Sequence, residues 1–262
     1  MKLTSGRRWF KASLVGAVAT IGLSAFAQSV SAATDPYNSN FGSIKGTAVG
    51  YDVSYPQCST ANTPPPGSFT FGIVGVNGGR PFNNNTCLAT EYSTATREAL
   101  NPPSLYINTG YSGAYRKDII KSDCTTLWTT LGISGSSAQQ QAWLIGCSEG
   151  DSSYKYAQKT GVPSAAMWWL DVEIGNSWSS SDLTLNQNTI NGAASWLAQY
   201  GTVGVYSNAQ YWTAITGNSS FAHPNIAADW ETAGGSCGTG FSGDPVWLTQ
   251  STSGGVDSDT AC

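Results

Sequence analysis

Seven short apolar segments, each ending at or beside a polar residue, restrict the fold more than any other feature of this chain. They span 47–53, 69–76, 104–108, 165–172, 202–207, 225–230 and 244–250. Each has the length of a β-strand. Between several of them lie stretches whose apolar residues fall at helical spacing. Leu88, Tyr92, Ala95 and Ala99 mark 86–100, and Trp143, Ile145 and Tyr156 mark 137–159. Ile190, Ala193, Ala194 and Leu197 mark 186–200, which stops at Gly201. Strands alternating with helices predict parallel βα units. The expected fold class is therefore α/β: a single (β/α)8-type, TIM-like barrel, with allowance for irregularity. No low-complexity linker divides it, and the proline-rich stretch 63–67 is too short to separate domains.

A barrel of this kind gathers its reactive groups at the C-terminal ends of the strands. Polar residues stand at those ends here: Asp52, Asn77, Asn108, Asp171, Glu173, Ser207, Asn208, Asp229 and Gln250. The segment Trp168-Trp169-Leu170-Asp171-Val172-Glu173 is the most telling. Alternate side chains of a strand share a face, so Asp171 and Glu173 are expected to point the same way. Two carboxylates held close repel, and burial raises at least one pKa. A neutral acid beside an ionised partner is what cleavage of a glycosidic bond requires. The plainer alternative is a strand end with solvated or salt-bridged carboxylates.

The N-terminus has a basic head (Lys2, Arg7, Arg8, Lys11), an apolar middle at 12–26 and small residues at 30–32. This pattern predicts a signal peptide over 1–32, followed by an irregular lead-in at 33–45 and a barrel domain over 46–262. Arg7-Arg8 fits twin-arginine export, while Lys11 keeps general secretion open. The expected location is extracellular, with no membrane association once the leader is removed. Four of the 12 Lys and Arg lie in that leader with none of the 16 Asp and Glu, so the remainder carries 8 against 16, a net charge of −8. So acidic a chain is a poor partner for nucleic acid or an anionic membrane.

Six cysteines in an exported chain predict three disulfides. Of the 15 possible pairings, the sequential one is expected, Cys58–Cys87, Cys124–Cys147 and Cys237–Cys262, because each bond would close a local loop. No CxxC pair is present and His223 is the sole histidine, expected at the surface, so neither a metal nor a cofactor is expected. No lysine-bearing phosphate loop and no G-x-S-x-G elbow occurs.

The order of motifs resembles the family-25 glycoside hydrolases, the N-acetylmuramidase type of lysozyme. Gly50-Tyr51-Asp52-Val53-Ser54-Tyr55-Pro56-Gln57 is similar to that family's opening G-x-D-V-S-x-x-Q, and Leu170-Asp171-Val172-Glu173 to its central acidic motif. Val205-Tyr206-Ser207, Ala228-Asp229-Trp230, Leu248-Thr249-Gln250 and Val256-Asp257 resemble later elements, more loosely. Two departures stand out. Val76-Asn77-Gly78-Gly79 replaces an acidic T-E-G, and Asp257-Ser258-Asp259 replaces D-x-N. The chain is thus similar either to the family itself or to a lysozyme-like side branch.

The resemblance implies acid-assisted, retaining cleavage of an amino-sugar polymer, peptidoglycan foremost; separately, the protein is expected to be a monomer. Glu173 would be the general acid, and Asp171 would orient the substrate's acetamido group as it attacks the anomeric carbon. Asp52 would tune Glu173 or bind sugar. Asp257, with Asp259 as its alternate, would close the ring of acids. Tyr55, Asn108, Tyr206, Trp230 and Gln250 are the further candidate sugar contacts. The competing readings are a non-catalytic carbohydrate-binding barrel, a hydrolase of a different glycan, and an exported interaction protein.

Overall fold

The strand segments close into a barrel of eight strands in sequence order, β1 to β8. They are β1 Val49–Val53, β2 Phe71–Gly75, β3 Ser104–Asn108, β4 Trp168–Asp171, β5 Val203–Ser207, β6 Asp229–Glu231, β7 Val246–Ser253 and β8 Val256–Ala261. The helices are α1 Pro36–Ser39, α2 Leu88–Ala95, α3 Lys121–Thr130, α4 Ser137–Lys159, α5 Leu183–Leu197 and α6 Ala209–Thr216. The structure, a computed structural model, describes residues 33–39, 48–58, 69–217, 221–232, 234–253 and 256–262. The expected leader, most of the lead-in and the proline-rich loop lie outside the described residues.

The expected TIM-like barrel is present, and irregular. β1 through β7 pair in parallel, but β8 runs antiparallel to both β7 and β1. No long helix intervenes between β6 and β7 or between β7 and β8 among the described residues. The sequence reading missed β8 because its residues, Val-Asp-Ser-Asp-Thr-Ala, are mostly polar. It also missed α3 and α6, and it drew β4 over 165–172, whereas the strand is Trp168–Asp171 and Glu173 lies two residues beyond it.

Period-two alternation splits the core into two layers. Inside the barrel lie Phe71, Ile73, Met167, Trp169, Trp230 and Leu248. Between barrel and helices lie Tyr51, Val53, Val74, Leu105, Ile107, Trp168, Leu170 and Val205. Bulky residues fit inside because small ones face them: a Cβ at Gly204 would stand 2.2 Å from the Trp169 ring. Tyr37 of α1 plugs the interior, accepting a 2.9 Å bond from Trp169 Nε1 and pairing with Ser104 Oγ at 2.6 Å.

α4 and α5 form the closest helix pair. A Cβ at Gly146 would lie 1.8 Å from the Thr189 carbonyl oxygen, and one at Gly192 would lie 2.1 Å from that of Trp143. These glycines lower helix propensity, yet their missing side chains allow backbone contact. All three disulfides join the cysteines in the expected sequential pairing, and no free cysteine remains. His223 corrects another expectation. Its side chain is 12% exposed, 3.3 Å from Asp244, and its ring lies edge-on to Trp212 and Phe221.

Candidate active site

The antiparallel β8 decides what the barrel mouth contains. Its N-terminal end lies beside the C-terminal end of β1, with Asp257 opposite Asp52. Inward parity then places Asp52, Tyr106, Asp171, Tyr206, Trp230, Gln250, Thr252 and Asp257 around one open cleft. Glu173 joins them from the loop after β4, and the cleft holds about 290 Å³. Its floor is aromatic: the Trp230 ring lies 4.6 Å from Tyr206, 6.5 Å from Tyr106 and 5.6 Å from Trp169.

Asp171 is 6% exposed and held from two sides. Asn108 Nδ2 donates to its Oδ2, and Asn176 Nδ2 donates to its Oδ1 at 3.4 Å and to its backbone oxygen at 3.1 Å. Asn108 is fixed in turn by Asn77, whose Oδ1 accepts its backbone N–H at 2.7 Å. Asn108 therefore stands behind the carboxylate instead of lining the cleft. Glu173 is half-buried, and Trp178 Nε1 anchors its carbonyl oxygen at 2.8 Å.

Burial, and then the charges of Glu173 and Asp52, push Asp171 well above the usual carboxylate range. Burial, and then Asp257, push Glu173 upward. For Asp52, burial and the Asp257 charge outweigh hydrogen bonds from Gln250 and Asp259, raising it to about 7. Asp52, Asp171 and Glu173, held together in one partly dry cleft, do not all ionise together near neutral pH.

Asp259 lies beneath the cleft at 0% exposure. Its Oδ1 accepts from Trp230 Nε1 at 2.9 Å, and its Oδ2 meets no N–H or hydroxyl donor. Asp52 acts on it directly, both by charge and as a carboxyl close enough to share a proton. Two carboxyls share a hydrogen bond only if one keeps its proton. Burial, and then the Asp52 charge, push Asp259 well above the usual carboxylate range, which favours Asp259 as the partner that keeps the proton. On its other side Asp52 Oδ2 accepts from Gln250 Nε2 at 2.8 Å, while Gln250 Oε1 accepts from Tyr206 at 2.7 Å.

Of the residues singled out in sequence, Asp52, Asp171, Glu173, Asp257, Tyr206, Trp230 and Gln250 meet at the cleft. Tyr55 does not line it: it is 48% exposed and its ring lies over Gly79. Asp229 is buried elsewhere, accepting from the Ser242 backbone at 2.8 Å and hydroxyl at 2.6 Å. Tyr106 and Thr252 line the cleft without having been singled out. Tyr106 shares the parity of Asn108, a signal present in the sequence; Thr252 lies in β7 beyond the expected strand end at Gln250, where the strand continues as a polar run. Among the described residues, no three His, Cys, Asp or Glu side chains are grouped to hold a metal ion.

The chain matches the family model described as Lysozyme-like protein 1 over residues 137–237, which bears out the lysozyme-like resemblance. No curated protein matches the chain. Two solved structures of the modular autolysin LytC from Streptococcus pneumoniae share the fold. One matches with a TM-score of 0.53 and 15% identity, covering 81% of this chain and 46% of that one. The other, in complex with a synthetic peptidoglycan ligand, matches with a TM-score of 0.50 and 14% identity over the same shares. The chain thus spans about half the length of the autolysin structures it matches. The catalytic domain of endolysin ply40, from bacteriophage P40 of Listeria monocytogenes, overlays more loosely, with a TM-score of 0.45 at 16% identity. That overlay covers 84% of this chain and 95% of the endolysin domain.

Proposed function

We propose that this protein is a secreted, monomeric glycoside hydrolase that cuts an amino-sugar polymer, bacterial cell-wall peptidoglycan foremost, by acid-assisted retaining chemistry. The observation that carries the proposal is the placing of Asp171 and Glu173 in one open cleft with an aromatic floor. The lysozyme-like match over 137–237 supports it, as does the fold shared with an autolysin that binds a peptidoglycan ligand.

The donors around the two acids divide their roles. Two amide N–H groups favour an anionic Asp171, and no described side chain donates to the Glu173 carboxyl. Burial raises Asp171 further than Glu173 in the free protein, so the pair titrates as a unit. The reaction draws on the form in which the amides hold Asp171 as the anion and Glu173, which faces the cleft, carries the proton and gives it to the leaving oxygen. Asp171 orients the substrate's acetamido group and stabilises the positive charge that develops as its oxygen attacks the anomeric carbon. Water then opens the ring so formed, with Glu173 as base. Asp52, Asp257 and Gln250 hold sugar hydroxyls, and the apolar faces of the sugars rest on Trp230 and Tyr206.

Purified protein should release reducing ends from cell walls. Glu173→Gln should lower kcat by about 10²–10⁴-fold while glycan still binds. A protein that sediments with glycan but yields no reducing ends from any amino-sugar polymer would be the non-catalytic binding barrel instead.

A further inference from the structure

A second pocket of about 290 Å³ opens on the same end of the barrel, between the loop after β2 and the loop after β3. Its walls carry Arg80, Phe82, Tyr115, Lys117 and Asp118. Neither Arg80 nor Lys117 has an ion-pair partner among the described residues, although Asp118 lies in the same wall. Of the seven Lys and Arg in the described residues, Arg80, Arg116 and Lys117 fall on these two loops. The neighbouring cleft carries four carboxyls and no cation. An anionic group is therefore repelled from the cleft and attracted here. The loop that bears Arg80 replaces the acidic T-E-G of the resembling family. Gly79 makes its turn with φ of 76°, beneath the Tyr55 ring.

The pocket also has an apolar side. Phe82 and Tyr115 meet edge to face at 5.4 Å, which suits small side chains next to a charged group. Pocket and cleft are joined through one backbone junction. A Cβ on Gly110 would stand 3.5 Å from Pro81, in the pocket wall, and 3.0 Å from the carbonyl oxygen of Ser177. Tyr111 N–H donates to that same oxygen at 2.7 Å. Ser177 belongs to the loop that starts at Glu173, so the pocket wall and the loop that bears the acid pack on the same backbone.

We propose that this pocket binds the free carboxylate of a short peptide arm carried by the glycan, with Arg80 and Lys117 as the anion-binding pair. The inference rests on the hydrolase reading and names the substituent that its substrate carries. Guanidinium and ammonium groups hold carboxylates by charge-assisted hydrogen bonds, and the aromatic pair covers the peptide's small side chains.

The test separates the pocket from the chemistry. Full-length mature protein is titrated, by NMR, with three probes: an N-acylated tripeptide with free carboxylates, its fully amidated counterpart, and a glycerol phosphate trimer. The free acid should bind and shift Phe82 and Tyr115 resonances. The Arg80→Gln/Lys117→Gln protein, checked for an unchanged circular dichroism spectrum, should bind it roughly tenfold more weakly, about 1.4 kcal/mol. Equal binding of acid and amide, no binding of the acid, or unchanged affinity in the double variant would overturn the proposal. Tighter binding of the glycerol phosphate would overturn it too, in favour of a phosphate-bearing polymer. Turnover supplies a second readout: the double variant should raise KM on peptide-bearing glycan and leave peptide-free glycan unchanged. A protein that cleaves neither glycan fails the hydrolase reading, while the titration still decides the pocket.

Discussion

Asp257 acts on Glu173 across the cleft by charge, second only to burial in raising that acid. Asp257→Asn removes the charge and keeps the shape. The alkaline limb of kcat/KM should then move to lower pH, because Glu173 surrenders its proton sooner. An unmoved limb would show that burial alone sets the acid. Asp259 makes a sharper case. If its raised carboxyl keeps a proton toward Asp52, it does what an amide would do. Asp259→Asn should therefore keep most turnover, since the amide nitrogen donates to Asp52 and the amide oxygen still accepts from Trp230. Asp259→Ala leaves both partners unsatisfied and should cost about 1–3 kcal/mol in stability by urea unfolding, with a fall in kcat. Equal damage from both substitutions would remove the proton from that hydrogen bond.

The α4–α5 crossing permits a prediction that propensity alone gets backwards. Gly→Ala inside a helix ordinarily gains about 1 kcal/mol. At Gly146 the new methyl would lie 1.8 Å from a carbonyl oxygen that belongs to a neighbouring helix. Overpacking of that kind costs about 1–3 kcal/mol, so Gly146→Ala should lower the urea midpoint despite its better helix propensity. An unchanged or higher midpoint would mean that the helices separate freely. These glycines also show how much of the fold was legible. α4 was readable end to end, since its periodicity survived them, and β3 was read to the residue. β8 was not readable: an antiparallel closing strand with acids facing inward has no apolar repeat. The same limit applied to the site. Asp52, Asp171 and Glu173 announce themselves by strand-end position, whereas the Asp259–Asp52 bond and the Arg80–Lys117 pocket arise only when distant strands or loops meet.

Across the molecule, the acids reverse the usual dependence of stability on pH. Carboxylates that are paired in a folded protein have lowered pKa values, and acid unfolds such proteins. Here burial raises Asp52 and Asp229 to about 7 from an ordinary 3.8, and it raises Glu149, Asp171 and Asp259 well above the usual range. Between the unfolded and folded values the native state binds more protons than the unfolded chain. The slope of unfolding free energy against pH is then negative. The stabilisation is fully present below the unfolded carboxylate range and is lost as pH rises through about 7 for Asp52 and Asp229. Few cations offset this, because a net charge of −8 outside the first 32 residues adds self-repulsion as the acids ionise. Urea unfolding followed from pH 4.5 to pH 8.5, titration points chosen to bracket the ordinary and raised values, should show a midpoint that falls steadily. Asp229→Asn tests the cause without touching the cleft: its amide still accepts from Ser242, so the variant should flatten the fall near neutrality and leave the pH profile of turnover unchanged. A midpoint that rises with pH over this interval would mean that these carboxyls are ionised and satisfied in the folded protein.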